Sequence, residues 1–219
     1  MRLTAVLMVA LLLVCAPVFA RSTFRTTDGA VDLEADTISG LGAPKTVLSG
    51  SAHVKLVDKA AGTVFEADAA TITIVQFVKP KTDGDKQAAK PKAADDIGMG
   101  LSNIKSVDFV GPVKITYIRP KEMVDESGAK SKVMNQMDAN SDSANYDGAK
   151  QMAYLRGNVT MTVTDPTLYQ SPAVATCALV ELNMKPNPGP DDFVWRISTP
   201  NGVSRLEATP LPKEETKSK

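Results

Sequence analysis

The sequence predicts an all-β protein built from repeated short antiparallel strands, and three observations carry that prediction. A phrase made of an apolar residue, a spacer, Gly and then apolar residues at every second position occurs three times. Its copies are Leu48-Ser-Gly50-Ser-Ala52-His-Val54-Lys-Leu56, Phe109-Val-Gly111-Pro-Val113-Lys-Ile115-Thr-Tyr117 and Leu155-Arg-Gly157-Asn-Val159-Thr-Met161-Thr-Val163. A second phrase, an acidic residue followed by Ala and a small polar residue, accompanies it as Glu34-Ala35-Asp36, Glu66-Ala67-Asp68 and Asp138-Ala139-Asn140, with a shortened echo at Glu207-Ala208-Thr209. No window sustains a 3.6-residue apolar period with caps, so helix is expected to be scarce.

Alternation with a period of two gives a strand with one buried and one polar face. The spacers His53, Lys55, Lys114, Thr116, Thr160 and Thr162 are therefore expected to face solvent. A glycine at the same place in each phrase predicts a bulge or bend where the sheet turns a corner. The Gly50 to Gly111 interval exceeds the Gly111 to Gly157 interval, and the excess has a visible source. Residues Lys79 to Asp96 read KPKTDGDKQAAKPKAADD, a charged, Pro- and Ala-rich insert without apolar period. Without it the two intervals are nearly equal, about 45 residues, which is the mark of stacked units too small to bury a face alone.

The elements follow in chain order. Arg2, the apolar run Ala5 to Cys15 and Val18-Phe19-Ala20 read as a signal peptide over residues 1–20, cleaved after Ala20. The run stops at Pro17, short of the ~20 apolar residues that span a bilayer. Val14 stands before Cys15 where a lipoprotein signal has a small residue. Residues 21–209 then form the β domain, with the 79–96 insert within it. Its first sheet edge is expected near Val31 to Ile38. Ala70 to Ile74, Val174 to Leu182 and Phe193 to Ile197 read as further strands, the last entered from the turn-rich Lys185 to Asp192. The last edge falls near Phe193 to Leu206. Arg119 to Lys132 is polar and is expected to be a long hairpin loop, and 210–219 a polar tail.

Composition excludes several functions. Lys and Arg total 25 against 25 Asp and Glu, so the chain has no positive field for nucleic acid. Charged residues at 23% with 43% hydrophobic residues exclude wholesale disorder, and aromatics at 5% leave the core to Val, Ile, Leu, Ala and Met. Loss of the leader would leave Cys177 as the lone cysteine, hence no internal disulfide; without a basic neighbour it reads as a small buried hydrophobe. His53, the sole histidine, lies on a polar strand face and reads as an exposed sheet residue rather than a catalytic base. Without a second His or a Cys cluster a zinc site is not expected. Asp28, Asp32, Glu34 and Asp36 lack the spaced, glycine-containing loop of calcium sites. No phosphate-binding Gly loop precedes Lys and Ser or Thr, and no cofactor is expected. Asn158-Val-Thr160 is a formal sequon without further support.

The ordered set Ala144-Asn-Tyr146-Asp147-Gly148, Leu155-Arg-Gly157-Asn158-Val159 and Ala173-x-Ala175 resembles the OstA-like family of lipopolysaccharide transport. The Gly50 and Gly111 units resemble diverged copies, so the resemblance spans about residues 28 to 209. It implies an elongated, twisted β-jellyroll in the periplasm, acting without catalysis as a bridge. In such a bridge lipopolysaccharide or a related glycolipid is bound and passed toward the outer membrane, between jellyroll partners at the inner- and outer-membrane ends. The expected lining for lipid A acyl chains is Val54, Leu56, Ile72, Ile74, Val113, Ile115, Tyr117, Val159, Met161 and Val163. The same side chains can equally pack on one another as a sealed core. Unpaired edge strands would also permit head-to-tail self-association. Two other classes stay open: a structural or adhesive envelope module without a lipid channel, and a glycan-active enzyme using the acids of the 28–36 segment.

Overall fold

A computed structural model describes residues 21–59, 61–77, 104–124, 128–185 and 193–211. Among them there is no helix. The strands are β1 Ser22–Arg25, β2 Val31–Ala35, β3 Thr37–Ser39, β4 Lys45–Asp58, β5 Thr63–Gln76, β6 Ile104–Val124, β7 Lys130–Asp147, β8 Met152–Thr164, β9 Ala173–Asn183, β10 Trp195–Ser198 and β11 Arg205–Glu207. They form one antiparallel sheet in the order β1-β2-β4-β5-β6-β7-β8-β9-β10, with β3 beside β4 and β11 beside β9. The predicted all-β class and antiparallel pairing are therefore the observed architecture, although β4 to β9 are long strands rather than short ones.

The two sequence phrases pair with each other. Leu33 and Ala67 flank Val54, Ala67 and Ala139 flank Ile115, and Ala139 stands beside Met161, so the three full acidic phrases lie in register with glycine phrases, while the echo at Glu207 pairs with β9. The alanines of the acidic phrases, Ala35, Ala67 and Ala139, are at most 1% exposed. Their small side chains leave room for the larger residues opposite.

The glycines mark a crease. The register slips between Ser49 and Ala52, Asp68 and Thr71, Val110 and Val113, Asn140 and Ser143, and Arg156 and Val159, and the extra residue lies each time on β4, β6 or β8, the strands that carry the glycines. Gly50, Gly111 and Gly157 carry φ of 78°, 93° and 72° at these slips. A side chain disfavours that conformation, which is why the phrase has glycine there. Each long strand is thus divided into two arms. At both edges the division is complete: β2 and β3 pair with different arms of β4, and β10 and β11 with different arms of β9.

A sheet without a covering helix can bury one face only by closing that face on itself. The buried residues show that closure. Leu33, Val54, Ile115 and Met161 come from one arm and Leu48, Ile72, Leu155 and Val180 from the other, and all belong to one apolar core. Full burial of such side chains stabilises by about 1.5–3 kcal/mol each. Among these aliphatic side chains one aromatic pair also meets: Phe65 of one arm and Phe109 of the other lie with ring centroids 6.1 Å apart at 53°.

The opposite face is polar and paired across strands. Lys55 bonds Glu66, His53 Nδ1 lies 2.8 Å from Asp68 Oδ1, and Thr116 Oγ1 donates to Asp138 Oδ1 at 2.7 Å. Lys114 and Thr160 are exposed, while His53, Lys55, Thr116 and Thr162 are half-covered by such neighbours. Exposed pairs add little stability individually but favour the observed register.

Three expectations are corrected. Arg119 to Lys132 is not mainly a loop: β6 and β7 continue through it in register from Arg119 opposite Asn135 to Val124 opposite Lys130. The main-chain ladder extends beyond the core, where side chains on both faces can be polar and no apolar period is needed. The first edge strand is β1, which outflanks β2 by pairing Phe24 with Leu33. Pro210 and Leu211, expected to open a solvated tail, are held to the domain, since Pro210 bridges Tyr169 and the Leu211 N–H donates to the Leu168 carbonyl at 3.1 Å. The expected leader, the 79–96 insert, residues 186–192 of the expected turn and residues 212–219 lie outside the described residues.

Candidate functional site

The two arms do not meet everywhere. Away from the crease they enclose a cavity of about 390 Å³, a volume in the range of small-ligand pockets. One arm contributes Leu56, Phe65, Ile115, Tyr117 and Met137; the other contributes Ile104, Val107, Phe109, Ala144, Tyr146, Ala153 and Leu182, with Met184 just beyond β9. Most arrive there through strand parity, as inward positions two residues from another, while Ile104, three residues before Val107, turns inward at the register shift opposite Val75 and Gln76. Besides the two tyrosines, the polar lining residues are Asp58, Thr63, Arg119, Asn145 and Gln151. Asp58 and Gln151 are exposed and mark the mouth of the cavity, while Thr63 is buried.

A contact ties the arms together at that mouth: Arg119 Nη1 on β6 donates to the Lys185 carbonyl at 3.4 Å. Within the second arm the Met184 N–H donates to the Gln151 carbonyl at 2.8 Å and extends the β8–β9 ladder. Just inside, burial pushes the Tyr117 phenol above its ordinary value, with partial relief from Arg119. Burial raises Tyr146 as well, followed by the nearby Asp147 carboxylate and Tyr117 itself. Both phenols are thus neutral near pH 7. The lining is apolar, and the two tyrosine hydroxyls beneath the rim are uncharged hydrogen-bonding groups.

Of the ten residues expected to line an interior channel, Leu56, Ile115 and Tyr117 border the cavity. Val54, Ile72, Ile74, Val113, Val159 and Met161 are at most 2% exposed and sit in the packed core outside it, while Val163 packs against that core half-buried. On β4 and β6 the reason is distance from the crease. Val54 and Val113 lie near the bulge, where the facing arm presses on them, and Leu56, Ile115 and Tyr117 lie farther out, where the arms separate. Phe65, Phe109 and Tyr146 were missed. Phe65 shares the parity of Ala67 and could have been found from it, whereas Phe109 precedes its glycine and belongs to the opposite arm. Met184 follows the last alternating residue of β9 and gave no signal.

Other candidate groups are dispersed. Asp32 bonds Arg25, Glu34 bonds Arg21 at 3.1 Å, and the Asp28 carboxylate accepts from the Ala30 N–H at 3.0 Å. The acids of the 28–36 segment are therefore divided among separate partners. Among the described residues no group of three or more His, Cys, Asp or Glu side chains is placed to hold a metal ion. The buried Cys177 thiol bonds the Leu179 carbonyl at 3.4 Å, and burial raises its pKa. No described helix is long and apolar enough to cross a membrane.

No protein-family model matches the chain, and no curated protein matches it. Among solved structures the chain is similar to LptH, the LptA homologous periplasmic component of the conserved lipopolysaccharide transport device from Pseudomonas aeruginosa, with a TM-score of 0.45 and 12% identity over 83% of this chain and 95% of that one.

Proposed function

We propose that this protein is a non-enzymatic carrier of lipopolysaccharide or a related glycolipid in the periplasm, passing it toward the outer membrane. The observation that carries the reading is the apolar cavity between the arms, open at a polar rim. Acyl chains enter the interior and are removed from water, a gain of about 0.8 kcal/mol for each methylene buried. Sugars and phosphates stay at the rim, because burying them unpaired would cost several kcal/mol. The resemblance of the Gly157 segment to the OstA-like family supports the same class of ligand.

In this reading the leader ending at Ala20 exports the chain, and the cavity serves as a holding site on a bridge. The strand edges supply the joints. Among the described residues, β1 at one end and the short β10 and β11 at the other each have one side with no strand beside it, to which jellyroll partners at the two membranes, or a second copy head to tail, can add a strand. Mass spectrometry of organic extracts from protein purified out of its native envelope tests the core of the proposal. Acylated glycolipid in stoichiometric amount is expected. Protein that carries none, and takes up none when offered it, overturns the reading.

A further inference from the structure

We propose that the Phe65–Phe109 pair is the end wall of the cavity and sets the length of acyl chain that it accepts. The inference rests on the carrier reading and adds its specificity determinant.

The pair is placed for that role. Both rings line the cavity, and they come from opposite arms. In register with Phe109 stands Ile72, and two residues along from Phe65 is Ala67, which pairs with Val54. Ile72 and Val54, with Leu48 and Leu33 behind them, are at most 1% exposed, and none of the four borders the cavity. On the β4–β5 side the rings therefore stand between the open volume and the closed core. Their tilted geometry at 6.1 Å is one that aromatic pairs favour. A chain threading past them would have to separate the rings and enter a core without free space.

The remainder of the lining is more yielding. Met137 and Met184 border the cavity, and methionine adapts its shape to irregular neighbours. Such a surface tolerates variation in how a chain lies, but the aromatic wall has two torsions per side chain and support from both arms. Chain shape is then loosely read and chain length sharply read.

The test is a chain-length series of saturated alkyl phosphocholines, from octyl to hexadecyl, below their micelle concentrations. Binding is followed by calorimetry on the mature protein. For the wild type, affinity should rise by roughly fourfold per methylene, then level off at a break length where the chain reaches the rings. Phe109→Ala and Phe65→Ala should move the break to longer chains, and Phe109→Trp to shorter ones. Phe109→Leu and Phe65→Leu, which remove less volume, should move it in the alanine direction while keeping the fold. Val159→Ala lies in the core away from the cavity and should leave the break in place. Variants with native circular dichroism that retain the wild-type break overturn the wall, as does an equal shift in Val159→Ala. A wild-type protein that binds no member of the series overturns the carrier reading itself, a result distinct from binding with an immovable break.

Discussion

Replacing Gly157 by alanine tests the crease on which the enclosure of the cavity depends. Gly157 has φ of 72°, a conformation that costs a side-chain-bearing residue about 1–2 kcal/mol. A Cβ there would stand 2.3 Å from Asp142 Oδ2 and 2.9 Å from its Cγ. That carboxylate also accepts from Asn158 Nδ2 at 2.8 Å, so displacing it loses a bond of about 1 kcal/mol. Reduced entropy of the unfolded chain returns about 0.5 kcal/mol. The net expectation is a loss of about 2 kcal/mol. Gly29→Ala is the control, because Gly29 has a similar φ of 69° but nothing within 4 Å of the added Cβ; it should lose about 1 kcal/mol. Urea denaturation reads both, and with a slope of about 2 kcal/mol/M the Gly157→Ala midpoint should fall by about 1 M. In an Asp142→Ala background the cost of Gly157→Ala should drop toward that of the control, a coupling between contacting residues. Equal costs for the two glycine variants, or a Gly157→Ala cost unchanged by Asp142→Ala, would refute the assignment of close approach at the crease.

Further outcomes follow from the cavity, the tyrosines, the edges and the leader. Photo-crosslinking residues at Ile115 and Tyr117 should capture acyl chains, while Thr116 on the outer face and Met161 in the sealed core should not; equal labelling at Ile115 and Thr116 defeats the parity. The Tyr117 and Tyr146 phenols are raised above 10.0 in the folded state, so their contribution is complete below pH 10 and is lost as pH rises from there through the folded values. Replacing both by Phe should flatten the alkaline fall in stability seen in denaturation midpoints, and an unchanged fall would assign it to other groups. Leu206→Pro, which removes a main-chain donor from the edge strand β11, should lower any concentration-dependent association seen by sedimentation velocity, whereas a wild type that stays monomeric and binds no jellyroll partner ends the bridging model. Osmotic shock should release a chain beginning at Arg21, and an uncleaved chain in the membrane pellet contradicts the export reading.

The all-β class, the repeat and the parity of the strands are legible in the residues alone. Alternation in Val54-Lys-Leu56 or Val113-Lys-Ile115-Thr-Tyr117 is a local property, and it states which side chains turn inward whatever they meet there. The residues also mark the crease, since a recurring glycine declares a backbone conformation that other residues avoid. Only the tertiary structure decided which inward residues face a void. Val113 and Ile115 have the same parity and similar chemistry, yet one is pressed against the facing arm and the other borders the cavity, because that depends on the separation between arms far apart in sequence. The meeting of Phe65 with Phe109 is likewise invisible to any local period, being produced by the fold of one arm over the other. Arg119 to Lys132 was misread for the converse reason: a ladder held by main-chain hydrogen bonds leaves no apolar pattern once its strands run beyond the core.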